Sequence, residues 1–153
     1  MDKDLDFLVN EIDLIRGEME KVVQDVDPTQ ELCPGWTIKE AIGHVTAWEI
    51  VIHKAIQAFL AGDPPYFLHE QDFDVFNAEA VAYRDSWSLE KVLQEWKSVR
   101  ADLRKTILAI KEESLFADLV LPWGSERTLS ELIEIIGEHE GEHMENIRKV
   151  AGL

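Results

Sequence analysis

The chain is patterned by long runs in which apolar residues recur every three or four positions, divided by short breaks carrying proline or glycine. Leu5, Leu8, Ile12, Ile15, Met19, Val22 and Val26 keep that spacing and predict a first helix from about Lys3 to Asp25, with one buried face. Asp27-Pro28 ends it, because a residue before proline is pushed out of helical geometry. A Pro34-Gly35-Trp36 turn leads to Thr37, which with Glu40 makes a capping box for a second helix. Its apolar face runs through Ile42, Val45, Trp48, Ile52, Ile56 and Phe59, and Gly62-Asp63-Pro64-Pro65 stops it.

From Tyr66 to Trp87 the pattern predicts a crossover holding a short helical piece, about Asp72 to Tyr83. Ser88 caps a third long helix, whose stripe is Leu89, Val92, Leu93, Trp96, Val99, Leu103, Ile107 and Ile110. A loop from Ser114 to Arg127 carries Pro122-Trp123-Gly124, and Leu119-Val120-Leu121 is the one strand-like stretch in it. Thr128 with Glu131 opens a fourth long helix that reaches about Val150. Four helices of about 30–37 Å each predict an all-α four-helix bundle, a single domain over residues 1–153. The crossover is long enough to bring the chain back to its starting end, so the second and third long helices are expected to run parallel.

The fourth helix carries the chemistry. Leu129, Leu132, Ile136, His139, His143 and Val150 fall on its inward stripe, with Ile147 beside it, so two imidazoles stand where the bundle wants aliphatic side chains. Residues four apart lie one turn apart on one face, close enough to ligate one ion. Left unpartnered, each buried imidazole costs on the order of 1–3 kcal/mol. His44 on the second helix offers a third ligand, and three protein ligands leave the open position that a catalytic metal site needs. His53 is out of register with His44, and His69 sits in the proline-rich crossover. His139-Glu140-Gly141-Glu142-His143 also matches the H-E-x-x-H zinc-protease helix. That reading lacks a downstream third ligand and a sheet edge for the peptide, and Glu140 and Glu142 read more simply as a solvated face.

Charge narrows the function classes. The 153 residues hold 31 Asp+Glu against 15 Lys+Arg, a formal −16. Nucleic acid and anionic membranes need a local cationic excess, and no basic run exceeds Arg148-Lys149, so neither is expected as a partner. No apolar run approaches the roughly 20 residues that cross a bilayer, and the acidic Met1-Asp2-Lys3-Asp4 start does not fit a signal peptide. The single cysteine, Cys33, suits a reducing compartment and reads as a packing residue; a cytoplasmic location is expected.

Pro34-Gly35-Trp36-Thr37-Ile38-Lys39-Glu40-Ala41-Ile42-Gly43-His44 with Trp48-Glu49, Pro122-Trp123-Gly124, Thr128-Leu129-Ser130-Glu131-Leu132, and His139-x-x-x-His143 before Asn146-Ile147-Arg148 together resemble the DinB-like superfamily. The segment Phe76-Asn77-Ala78-Glu79-Ala80-Val81-Ala82 is similar to its ClbS/DfsB-type branches. The resemblance covers nearly the whole chain. It implies an up-down-down-up bundle, a zinc or nickel ion held by His44, His139 and His143, and a homodimer. It implies a hydrolase or a transferase using a low-molecular-weight thiol, and, as an alternative, a protein that sequesters a reactive small molecule. On that basis Glu49 is a candidate catalytic, proton-handling residue, and Trp48, Tyr83 and Trp123 are candidate walls of the substrate pocket. Arg84 and Arg148 are candidate receivers of an anionic thiol.

Overall fold

The computed structural model describes residues 3–153. Helix α1 spans Leu5–Asp25, α2 Ile38–Ala61, α3 Phe73–Tyr83, α4 Leu89–Leu108 and α5 Leu129–Ala151. A short hairpin of β1 (Asp118–Val120) and β2 (Glu126–Thr128) lies between α4 and α5. Ser88 accepts a backbone N–H bond at the head of α4 as expected, and Asp4 and Asp72, not singled out from the sequence, cap α1 and α3 in the same way. At α5 the Glu131 N–H donates to Thr128 Oγ1 at 3.2 Å, while the Glu131 carboxylate accepts from the Thr128 N–H at 3.1 Å. At α2 the Glu40 carboxylate accepts from both the N–H and the hydroxyl of Thr37, at 2.9 and 2.6 Å.

Contacts between helices fix their directions. Along α1 and α5 the partners rise together: Lys3 reaches Glu134, Arg16 reaches Glu140, and Gln30 beyond α1 reaches the Val150 carbonyl. Along α2 and α4, Glu49 meets Arg100 and His53 meets Thr106. These two pairs are therefore parallel. Between α1 and α4 the numbers run oppositely, with the Ile12 carbonyl at Arg100 and the Trp96 carbonyl at Arg16. Between α2 and α5, His44 meets His143 while Ile52 and Ile135 line one cleft. The result is an up-down-down-up bundle, with the crossover and α3 carrying the chain back from the end of α2 to the start of α4.

The apolar core is divided into two. One half holds Leu8 and Ile12 of α1, Ile52 and Ile56 of α2, Leu103 and Ile107 of α4, and Leu129 to Ile136 of α5. The other holds Met19 and Val22, Ile38 to Val45, Val92 and Trp96, and Met144 and Ile147. Between them, each long helix contributes one charged residue: Arg16, Glu49, Arg100 and Glu140. A third, smaller cluster seats α3 on α2 through Trp48, Val51, Phe76 and Ala80.

Three sequence expectations are corrected. On α5, Leu129, Leu132 and Ile136 are buried as expected, but Ile133, Gly137, Glu140, Met144 and Ile147 are buried with them, whereas Val150 is exposed and His139 and His143 stand half-buried beside this face. β2 carries the charged Glu126 and Arg127, a pattern with no strand signal of its own; pairing with β1 holds it. Cys33 is exposed, because the Leu32–Trp36 turn closes through its backbone, and packing does not hold its side chain.

Candidate metal centre

The inward-leaning side of α2 brings His44 opposite the His139–His143 row of α5. The Nε2 atoms of the three rings lie 3.1 Å (His44–His139), 3.0 Å (His44–His143) and 3.1 Å (His139–His143) apart. Among the described residues they are the one set of three metal-binding side chains whose ligand atoms converge in this way. The Trp36 ring, delivered by the turn before α2, packs on His44 at 5.2 Å between centroids.

The donor set can be tested without an ion. A ring nitrogen carries either a proton or a lone pair, so two Nε2 atoms bond only if they differ. Three mutually touching nitrogens cannot all differ from one another, so at least one of the three contacts is repulsive whatever the tautomers. One cation facing three lone pairs removes that conflict. Nitrogens that share an ion at about 2.0–2.1 Å, at angles from about 90° to 110°, lie roughly 2.9–3.4 Å apart, which brackets the observed separations.

Electrostatics favour the same state. Burial, with His143 and His139 nearby, holds His44 down to about 3, and the Asn77 amide opposes this weakly from outside hydrogen-bond geometry. Burial, then His143, holds His139 down to about 4. His143 is also lowered by burial, against the pull of Glu142 and Glu140. All three rings are neutral at pH 7, as metal ligands must be. The residues fit a divalent cation.

Beneath the histidines lies the charged layer. Arg16 donates from Nε to both oxygens of Glu140, at 3.0 and 2.9 Å, and from a terminal nitrogen to Glu49 at 2.7 Å. Arg100 donates to Glu49 at 2.5 Å and to Glu140 at 3.2 Å. The Trp96 indole N–H donates to Glu140 at 3.1 Å, and the Arg16 guanidinium lies over the same ring at 4.2 Å. Two cations and two anions close a neutral ring, so the buried charges compensate each other. Glu49 and Glu140 are 2 % and 0 % exposed.

This corrects two residue readings. Glu49 is not free to move protons at the histidines, because both its oxygens are held by arginines. Glu140 is not on a solvated face, nor is it a general base beside the ligands, because Arg16, Arg100 and Trp96 occupy its carboxylate. The protease reading loses its base with it.

Next to the three rings opens a cleft of about 370 Å³, walled by Trp48, Ile52, Phe73, Asn77, Trp123 and Ile135, with Glu138 and Glu142 at its rim. Trp123 arrives from the hairpin turn, where Gly124 adopts φ 97°, a left-handed conformation that side chains disfavour. Its ring meets Trp48 at 5.9 Å and Phe73 at 6.3 Å. The Trp48 indole N–H donates to Asn77 Oδ1 at 2.8 Å, tying α3 to the site. Tyr83, expected as a wall, is 69 % exposed at the far end of α3, where its ring packs on Trp87. Arg84 is buried and spent on Glu95, Arg148 bonds Glu145, and His53 and His69 bond Thr106 and Glu79, all away from the tripod.

The sequence reading missed Phe73, Asn77 and Ile135 as lining residues, and it missed Arg16 and Arg100. The arginines had a signal: each occupies a core position of an apolar stripe, Ile12-Arg16-Met19 and Trp96-Arg100-Leu103. For α3 there was none, since which of its faces meets α2 depends on the crossover path.

Comparison with known proteins agrees with the helical fold. The fold is similar to that of the colibactin self-resistance protein ClbS, solved in complex with a dsDNA (TM-score 0.82, 13 % identity, covering 100 % of this chain and 98 % of that one). It is similar to the sibling lethal factor precursor DfsB (TM-score 0.80, 17 % identity, 97 % and 95 % coverage). It also resembles a mycothiol-dependent maleylpyruvate isomerase (TM-score 0.80, 16 % identity), with 95 % of this chain spanning 61 % of that one. No curated protein sequence matches the chain significantly. The family model of the DinB superfamily matches residues 11–147. With that match over nearly its full length, on a helical bundle with a histidine tripod, the chain belongs to the DinB superfamily.

Proposed function

We propose that the protein is a divalent-metal enzyme acting on a small molecule, with His44, His139 and His143 holding the ion. The observation that carries this is the convergence of three neutral Nε2 atoms, about 3 Å apart pairwise, at the wall of an apolar cleft. When bound, a zinc or nickel ion supplies Lewis acidity there and lowers the pKa of a water or thiol. The chain's own residues do the rest. Burial keeps the three imidazoles unprotonated, the Arg16–Glu140 bonds hold the histidine-bearing turn of α5 in place, and Trp48, Phe73 and Trp123 exclude water from a bound molecule.

Of the two reactions, hydrolysis fits the cleft better than thiol transfer. Among the described residues, no Arg or Lys lines it to receive an anionic thiol. A sequestering protein on the same scaffold is the second reading, favoured by the likeness to a self-resistance protein. A cytoplasmic homodimer completes the proposal, and the −16 charge supports its leaving nucleic acid unbound. Tag-free protein should hydrolyse a panel of small esters and amides, lose that activity on chelation and regain it with zinc or nickel. It should have none as His44→Ala. Stoichiometric binding with no turnover in any metal state would instead support sequestration.

A further inference from the structure

The cleft beside the tripod has a definite chemical polarity. Trp48, Phe73 and Trp123 pack edge to face, with interplanar angles of 79°, 75° and 87°, into one aromatic wall. Facing outward beside them are Glu138 and Glu142, each one residue before a tripod histidine and four apart on α5, so the two carboxylates stand in a row along the histidine row. Both are exposed, and neither has a cationic partner among the described residues. The nearby guanidiniums are committed elsewhere, Arg16 and Arg100 to the buried layer and Arg84 to Glu95. His44, nine-tenths buried in the same cleft, keeps its Nδ1 without a protein partner.

Aromatic rings and carboxylates both attract cations, the first through the ring quadrupole and the second through charge. We infer that this cleft selects small molecules bearing a cationic group, of the ammonium or substituted-ammonium class. The charged end lies between the aromatic wall and the Glu138–Glu142 row, and the reacting end lies toward the three histidines. The inference rests on the cleft being the substrate site of the metal enzyme proposed above. It deepens that reading by naming the substrate's charge.

Matched probes test it: choline and its neutral isostere 3,3-dimethylbutan-1-ol, titrated calorimetrically into tag-free protein as purified and after chelation. Choline should bind at least about tenfold more tightly than the alcohol in both states. The Glu138→Gln/Glu142→Gln double variant should bring choline down to the level of the alcohol while leaving the metal content unchanged. Trp123→Ala should weaken both probes. Equal affinities, tighter binding of the alcohol, or no binding of either probe at millimolar concentration would overturn the inference. If the protein carries a three-histidine ion but shows no preference for choline, this inference alone fails. If the preference is present in a protein that takes up no metal, the enzyme reading fails and the cationic specificity stands.

Discussion

Glu140 and Glu142 stand two residues apart on α5, between the same pair of histidines, in opposite surroundings. Glu140 is fully buried and accepts bonds from Arg16, Arg100 and Trp96; Glu142 is exposed at the rim of the cleft. Removing Glu140 leaves two buried guanidiniums and an indole N–H short of an acceptor. Glu140→Ala should therefore destabilise the fold by about 3–5 kcal/mol. Glu142→Ala should change it by no more than about 0.5 kcal/mol. Urea unfolding of the two variants checks both figures, and comparable losses would contradict the assignment. The pair also shows what a sequence hides. H-E-x-E-H presents the same letter twice, and only the rotation of α5 separates a core residue from a rim residue.

At the scale of elements, glycines in the two parallel helices α1 and α5 differ in what surrounds them. A Cβ on Gly17 would meet nothing within 4 Å, whereas one on Gly137 would lie 3.1 Å from Ile15 Cδ1 across the α1–α5 seam. Gly17→Ala should raise stability by about 0.5–1 kcal/mol through helix propensity alone. Gly137→Ala should gain less or lose, because Ile15 must move. Thermal melts of both variants report the difference. The four long helices were legible because each has its own periodic stripe, and three of them a start signal such as Thr128 with Glu131; α3 showed only as a short helical piece within the crossover. The pairing of β2 and the face that α3 turns to α2 were not, because both are set by distant partners: β1 for the strand, Trp48 for Asn77. The histidine pair was legible as an i, i+4 interruption of an apolar stripe. The charged layer was not legible although its four members occupy core positions, because its net charge of zero emerges only when four helices meet.

For the molecule as a whole, the histidines couple stability to pH. Burial first, then neighbouring imidazoles, hold His44 to about 3 and His139 to about 4, while an unfolded histidine takes a proton near 6.5. Below pH 6.5 the unfolded chain therefore binds more protons than the folded one. Stability of the metal-free protein is full above that pH and is lost as the pH falls from there through the folded values. Its urea midpoint should be lower at pH 5.5 than at pH 7.5, and the difference should shrink in a His44→Gln/His139→Gln variant. Among the described residues no helix is long and apolar enough to cross a membrane.

That three imidazoles from α2 and α5 share a single cation is tested most directly by X-ray absorption at the metal edge of tag-free protein. The geometry predicts one ion per chain, a first shell of nitrogen and oxygen at about 2.0–2.1 Å, and outer-shell scattering from three imidazole rings that falls to two or is lost in His44→Ala. A protein free of transition metal after growth with zinc and nickel, or an ion whose imidazole scattering is unchanged by that substitution, would contradict it.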